Sequence, residues 1–512
     1  MLIKTFAAAV HGIEATIVTI EVNVSQGIRF FLVGLPDNAV KESQRRIESA
    51  MKASGFEFPG KRIVVNMAPA DIRKEGSCYD LPLAMGVLAS SEQVKGERLS
   101  EYIMMGELSL DGTIQPVKGV LPIAVKASEE KFKGFILPKE NAKEAAVVSN
   151  LEILGVENIQ DVIDFFQNDK FIERTQVNMK EEFDRQANLY DIDFADVRGQ
   201  ENVKRALEIA ASGSHNLIMI GPPGAGKTML AKRLPTIIPP LALAEALETT
   251  KIHSVAGKIG KETSLMTIRP FRSPHHTISD VALVGGGTVP QPGEISLAHN
   301  GVLFLDELPE FKRTVLEVLR QPLEDRMIAV SRAKFSVVYP ASFMLVASMN
   351  PCPCGYYNHP EKECACTPMI VQKYLNRISG PLLDRIDIHI EVVPVPFEKL
   401  SDKRTGESSA IIRERVTAAR IIQEERFKEF PEIHCNAQMS SSQIRKYCYI
   451  NPGGQLLLKN AMEKLGLSAR AYDRILKVSR TIADLDKSTD IKNEHLAEAI
   501  QYRSLDRDSW AG

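Results

Sequence analysis

At 512 residues the chain is too long for a single hydrophobic core, and about two to four domains are expected. A composition of 44% hydrophobic and 25% charged residues is that of a globular protein, and no apolar run reaches membrane-spanning length. The opening Met1-Leu2-Ile3-Lys4-Thr5-Phe6 is not a secretory leader, so a cytoplasmic protein is expected. A net charge of -2 excludes global attraction to nucleic acid, and seven cysteines, four of them between Cys352 and Cys366, exclude a disulfide framework.

In the first block, residues 1–167, Val18, Ile20, Val22 and Val24 alternate with polar residues as a half-buried strand does. Strands at Phe30–Val33 and Arg62–Asn66 and helices at Asn38–Ala53 and Leu83–Leu88 make this block α/β. The element order and the phrases Lys74-Glu75-Gly76 and Gly106-Glu107-Leu108-Ser109-Leu110-Asp111-Gly112 resemble the proteolytic domain of Lon-type proteases, which has the ribosomal-S5-like fold. In register with that family's motif, Cys78 stands at the nucleophilic serine and Leu121 at the lysine base. A displaced Ser77/Lys118 dyad is the one alternative, since a serine needs a base within hydrogen-bonding reach. The expectation is an inactive fold used for docking or regulation.

Residues 168–190 are charged and lack apolar periodicity, as an interdomain linker does. Phe194 to Gln200 opens a helix, Glu201 to Ser212, and resembles the adenine-pocket segment of AAA+ ATPases. The apolar run Asn216–Ile220 then leads into Gly221-Pro222-Pro223-Gly224-Ala225-Gly226-Lys227-Thr228, followed by Met229 and a helix. This is a phosphate-loop pattern between strand and helix. Its backbone N–H groups cradle a β-phosphate, Lys227 reaches the β/γ oxygens and Thr228 ligates Mg²⁺. ATP and Mg²⁺ are therefore the expected cofactors.

The segment from Thr267 through Pro270, His275 and His276 to Gly293 reads as a long functional insertion. On an extended chain His275 and His276 point to opposite sides, so they are expected to be loop polar contacts rather than joint metal ligands. Gly301-Val302-Leu303-Phe304-Leu305-Asp306-Glu307 fits a strand that ends in two acids, Asp306 for Mg²⁺ and Glu307 to polarise water. Met327 to Tyr339 alternates as a hairpin with Arg332 and Lys334 near its tip, either a solvated turn or a phosphate contact. A further apolar strand, Phe343 to Met349, ends at Asn350, the position of sensor 1 in AAA+ proteins.

Cys352-Pro353-Cys354 and Cys364-Ala365-Cys366 offer four thiolates of the kind that suits tetrahedral Zn²⁺; reduced structural thiols are the alternative, and His359 is an alternative ligand. Arg377 and Arg385 flank Gly380-Pro381-Leu382-Leu383 before the strand Ile388–Val392, where related rings carry an arginine finger; Arg385 is the first choice. Beyond a hinge at Pro394–Gly406, Ser409–Phe427 is a charged helix expected to present a solvated face. A helix capped near Ser468 resembles the lid's sensor 2 helix, with Arg470 the matching arginine and Arg474 and Arg480 as alternatives.

Phe271-Arg272-Ser273-Pro274-His275-His276-Thr277, Gly293-Glu294-Ile295-Ser296-Leu297-Ala298-His299-Asn300 and Asn350-Pro351-Cys352-Pro353-Cys354-Gly355 resemble the magnesium-chelatase-like AAA+ proteins, and within them the competence-associated ComM (YifB) group. The resemblance covers nearly the whole chain. It implies an S5/Lon-protease-like first domain, an AAA+ core with a parallel sheet at 191–395, and an α-helical lid at 396–512. It further implies a hexameric DNA motor that promotes branch migration. A magnesium-chelatase-type ATPase that remodels a protein or inserts a metal is the competing expectation.

Overall fold

The computed structural model describes residues 2–179, 182–183, 191–260, 263–287, 290–332, 335–357, 359, 361–396, 406–430 and 432–503. The first domain is built on a seven-stranded mixed sheet. Its strands are β1 (Leu2–His11), β2 (Glu14–Ser25), β3 (Phe30–Val33), β4 (Arg62–Ala68), β5 (Tyr102–Met104), β8 (Gly134–Pro138) and β9 (Glu152–Val156), with β6 (Glu107–Leu108) and β7 (Ile114–Gln115) forming a separate ribbon. The spatial order is β3-β4-β2-β1-β5-β8-β9. The alternation in β2 places Val18, Ile20 and Val22 wholly inside, while the helix Asp80–Ser90, apolar on every side, is buried along its full length. The first strand is β1, which lacks a clean alternation because Ala7, Ala8 and Ala9 are all buried. The helix expected over Asn38–Ala53 breaks at Glu42 into Asn38–Lys41 and Ser43–Ala53.

The charged connector is only partly free. Arg174 pairs with Glu152 at 2.6 Å, the Thr175 N–H donates to the Ile153 carbonyl, and Ile172 and Val177 pack on the first core. Apolar residues hidden among charges were enough to lay residues 172–177 along β9.

The second domain holds a five-stranded parallel sheet: β10 (Leu217–Ile220), β11 (Phe271–Arg272), β14 (Val302–Leu305), β17 (Met344–Met349) and β18 (Ile388–Glu391), in the order β11-β14-β17-β10-β18. Small ribbons β12 (Gly285–Gly286)/β13 (Gln291–Pro292) and β15 (Met327–Arg332)/β16 (Phe335–Pro340) stand beside it. Two residues of the segment read as a long insertion, Phe271 and Arg272, are therefore an edge strand of the main sheet; β11 is too short for a periodicity to show. The β15–β16 hairpin forms as expected and buries Ile328, Val330, Val337 and Tyr339. Arg332 is described by its backbone alone and Lys334 lies outside the described residues, as do 397–405 of the hinge.

The C-terminal helices share one apolar cluster with the second domain's core, in which Ile475, Ile482 and Leu496 join Leu207, Leu217 and Val346. The helix Ser409–Arg426 presents a solvated face with Ile411, Glu414, Ile421, Glu424 and Glu425, while its arginines reach back to the chain. Arg415 reaches Glu208, Arg420 donates to the Ala211 carbonyl and to Ser214, and Arg426 pairs with Asp484. Its arginines bind partners that are remote in sequence, which a charge pattern cannot reveal. Among the described residues no helix is long and apolar enough to cross a membrane.

Candidate functional site

Three neighbouring parallel strands, β14, β17 and β10, end at one edge, because Ile220 is in register with Met349 and Leu305 with Ala347. A parallel sheet puts its ligand crevice at this carboxyl edge. The phosphate loop leaves β10 here, Asp306 and Glu307 leave β14, and Asn350 leaves β17. A cavity of about 430 Å³ is lined by Pro223 through Met229 together with Asp306, Glu307, Ser348, Met349 and Asn350. Gly221 and Pro222 sit behind it and bind the lysine.

Lys227 Nζ donates to the carbonyls of Gly221 at 2.7 Å and Pro222 at 3.0 Å, and to Asn350 Oδ1 at 3.0 Å. Burial lowers its pKa from the ordinary lysine value, against the pull of Asp306 and Glu307. Gly226 has φ +88°, in the left-handed region, and from there the helix Lys227–Arg233 begins. Thr228 Oγ1 donates to Asp306 Oδ2 at 2.7 Å, and Ser348 donates to Asp306 Oδ1. A hydroxyl and a carboxylate converging in this way beside a phosphate loop fit the oxygen preference of Mg²⁺.

The contacts that two neighbours make with this site were not legible in the sequence. Gln200, at φ +56°, bridges the carbonyls of Ala225 at 2.9 Å and Val393 at 3.0 Å, tying the phosphate loop to the end of β18. His276 Nδ1 lies 3.6 Å from Glu307 Oε2. The two histidine rings are 4.0 Å apart, so the expectation that they point to opposite sides is corrected: the chain turns after β11. His275 does make a loop polar contact, with Thr277 at 3.0 Å.

The arginines separate by environment. Arg385 is 5% exposed, donates to the Pro381 carbonyl and pairs with Glu324 at 2.6 Å, so its guanidinium is held inside the chain. Arg377 is the half-exposed one, with Glu310 at 2.9 Å. Arg470 is exposed, 3.8 Å from Asp384. Arg474 pairs with buried Asp387 at 3.0 Å, and Arg480 is spent on Asp484 and on the carbonyls of Ser488 and Thr489.

The four cysteine Sγ atoms lie within 4.8 Å of one another, with Cys352 3.3 Å from Cys354 and 3.7 Å from Cys364. Tetrahedral zinc with Zn–S of about 2.3 Å places its sulfurs roughly 3.8 Å apart, so the donor set fits. His359 is no part of it, since its Nδ1 accepts from the N–H groups of Glu361 and Lys362.

In the first domain Ser77 donates to Glu107 rather than engaging Lys118, although all three line one cavity of about 410 Å³. Burial pushes the Cys78 thiol up to about 12, which leaves it an unreactive thiol. Leu121 is wholly buried against Leu241, Ala246 and Leu265 of the second domain, and the Gly119 N–H donates to the Ser254 carbonyl. The position that would hold a lysine base is an interdomain contact.

Three family descriptions match the chain: "Magnesium chelatase, subunit ChlI" over residues 193–400, "Subunit ChlI of Mg-chelatase" over 20–141, and the ChlI C-terminal region over 406–503. It is 46% identical over 506 residues to "Competence protein ComM" of Haemophilus influenzae, covering 98% of this chain and 97% of that protein. It is 45% identical over 502 residues to the uncharacterized protein YifB of Escherichia coli, covering 98% and 96%. A shorter likeness, 32% over 157 residues and 28% of this chain, is to Lon protease 2 of Bacillus subtilis, of which it covers 27%.

Proposed function

This chain belongs to the ComM/YifB group of the magnesium-chelatase-like AAA+ proteins, and on that footing we propose that it is an ATP-hydrolysing, ring-forming motor. It translocates on DNA and promotes branch migration of DNA junctions in recombination and natural transformation. The observation that carries the ATPase reading is the meeting of Thr228 with Asp306 and of Lys227 with Asn350 at the ends of three parallel strands. A relative named as a competence protein, alike over nearly the full length of both chains, supports the DNA reading.

The work is divided among the residues of the site. The loop from Gly221 to Thr228 binds the phosphates, and Lys227 exchanges its carbonyl partners for phosphate oxygens. Thr228 and Asp306 hold Mg²⁺, which supplies charge neutralisation at the β- and γ-phosphates when bound. Glu307 accepts a proton from the attacking water, Asn350 orients it, and Arg470 of the lid contacts the nucleotide. An arginine of a neighbouring subunit, Arg377 or Arg385, completes the site, which is why a homohexamer is proposed. Cys352, Cys354, Cys364 and Cys366 hold Zn²⁺, and Arg332 and Lys334 at the hairpin turn contact DNA phosphates.

The deciding experiment is migration of a four-way junction with Lys227→Ala as the control, paired with the ATPase rate with and without forked DNA. An ATPase rate indifferent to DNA, together with the absence of salt-sensitive DNA binding, would refute the motor. The chelatase reading, which the family description favours, would then stand: ATP hydrolysis that responds to a protein partner.

A further inference from the structure

The last residue of β17 and the segment after it touch the phosphate loop three times within seven residues. The Met349 carbonyl accepts from the Gly221 N–H at 3.2 Å, Asn350 Oδ1 accepts from Lys227, and Gly355 lies against Pro223. Gly355 has φ +85°, its N–H donates to the Cys352 carbonyl at 3.0 Å, and a Cβ on it would lie 2.5 Å from Pro223 Cδ. The close approach thus depends on a glycine in the left-handed region, placed one residue after Cys354. The returning chain closes the other side. Val371 of the helix Pro368–Leu375 packs on Cys352, and Arg377 then donates to the Pro309 carbonyl and to Glu310, just beyond Glu307. The four-sulfur cluster is therefore the knot of a strap that spans the cavity from the phosphate loop to the turn after the paired acids.

We propose that Gly355 and the four-sulfur cluster are positioning elements of the nucleotide site: the cluster seats Pro223, so that metal bound by the cysteines and nucleotide bound by the phosphate loop strengthen each other. This rests on the zinc assignment made under the proposed function. The physical reason is reciprocity. If closing the cluster fixes the strap in the arrangement that nucleotide prefers, nucleotide must in turn favour the closed cluster by the same factor. Among the described residues the strap has no regular structure between Met349 and Pro368, so a cross-link is what removes its freedom.

The test uses the full chain and two readouts that do not involve turnover. Zinc release to a colorimetric chelator is followed with and without ADP, and a fluorescent ADP analogue is titrated into the wild type, Cys364→Ser and Gly355→Val. Gly355→Val keeps all four sulfurs and drives a side chain into Pro223. Expected are about one zinc per wild-type chain, release slowed several-fold by ADP, and analogue affinity weakened about tenfold or more in both variants, with Gly355→Val retaining its zinc. Far-UV circular dichroism and thermal unfolding verify that the variants fold, and the ADP effect on wild-type release needs no variant. Zinc release indifferent to ADP, or Gly355→Val binding the analogue as the wild type does, overturns the coupling while leaving the ATPase reading intact. Absence of zinc from protein that still binds the analogue overturns the zinc assignment and the coupling with it.

Discussion

Lys227 and Asn350 are joined across 3.0 Å by a hydrogen bond from the ammonium of the phosphate loop to the amide oxygen at the end of β17. The bond brings the two residues to the same point of the site, yet their tasks differ. Lys227→Ala is expected to abolish ATP binding, whereas Asn350→Ala should bind a fluorescent ATP analogue within a few-fold of wild type and lose about tenfold or more in kcat. Equal loss of binding in both would show that the asparagine is needed only to seat the lysine.

Glu307 stands at φ +54° with its carboxylate toward His276. Replacement by Gln keeps size and removes the proton acceptor, so Glu307→Gln should bind ATP normally and hydrolyse it about 10²–10⁴ times more slowly. Phosphate release in a single turnover measures this; near-normal hydrolysis would take the water-activating role from Glu307.

Asp387 is buried beneath β10, where Arg474, His215 and the Asn216 N–H surround it. Desolvation raises its pKa, but Arg474 and His215 overcome this and hold the carboxyl well below the ordinary carboxylate range. With the folded value depressed, the stabilisation is complete above the unfolded pKa of about 4 and is lost as pH falls below it toward the folded value. Asp387→Ala leaves Arg474 and His215 facing a void and should cost about 3–5 kcal/mol at neutral pH. Thermal unfolding of the variant and the wild type between pH 7 and pH 3 should converge as the wild type loses this contribution.

Arg385 and Arg377 are distinguished by what each is bound to. Removing Arg385 strips buried contacts to Glu324 and Pro381 and should lower the melting temperature. Removing the half-exposed Arg377 should leave the melting temperature within a degree or two. In subunits mixed with a Lys227→Ala chain, whichever substitution abolishes hydrolysis at a neighbour's intact site identifies the finger. If neither does, the subunits do not complete one another's sites.

Cys78, with its thiol pushed up to about 12, and Ser77, bonded to Glu107, offer no activated nucleophile. Casein incubated with the protein and ATP should stay intact. Cleavage that disappears in Ser77→Ala would contradict the expectation of an inactive first domain used for docking or regulation.

The phosphate loop, the acid pair, Asn350 and the four cysteines are legible in the sequence as chemical groups, because each is a short run whose spacing carries its geometry. A strand fixes the direction of the residues that leave its end, so Ile220 and Leu305 already aim Gly221 and Asp306 at one edge once the sheet is parallel. Relationships that join distant residues came from the packing of the folded chain. It placed Arg385 on Glu324, His276 beside Glu307, the arginines of Ser409–Arg426 on the helix Glu201–Gly213 and its C-terminal turn and on Asp484, and Gly355 against Pro223. Leu121 shows the reason most plainly. As a letter in a motif it is a missing lysine, and only burial against Leu241 and Leu265 shows that its apolar surface holds two domains together. Such contacts depend on how folded units meet, and no local pattern of hydrophobicity or charge encodes that meeting.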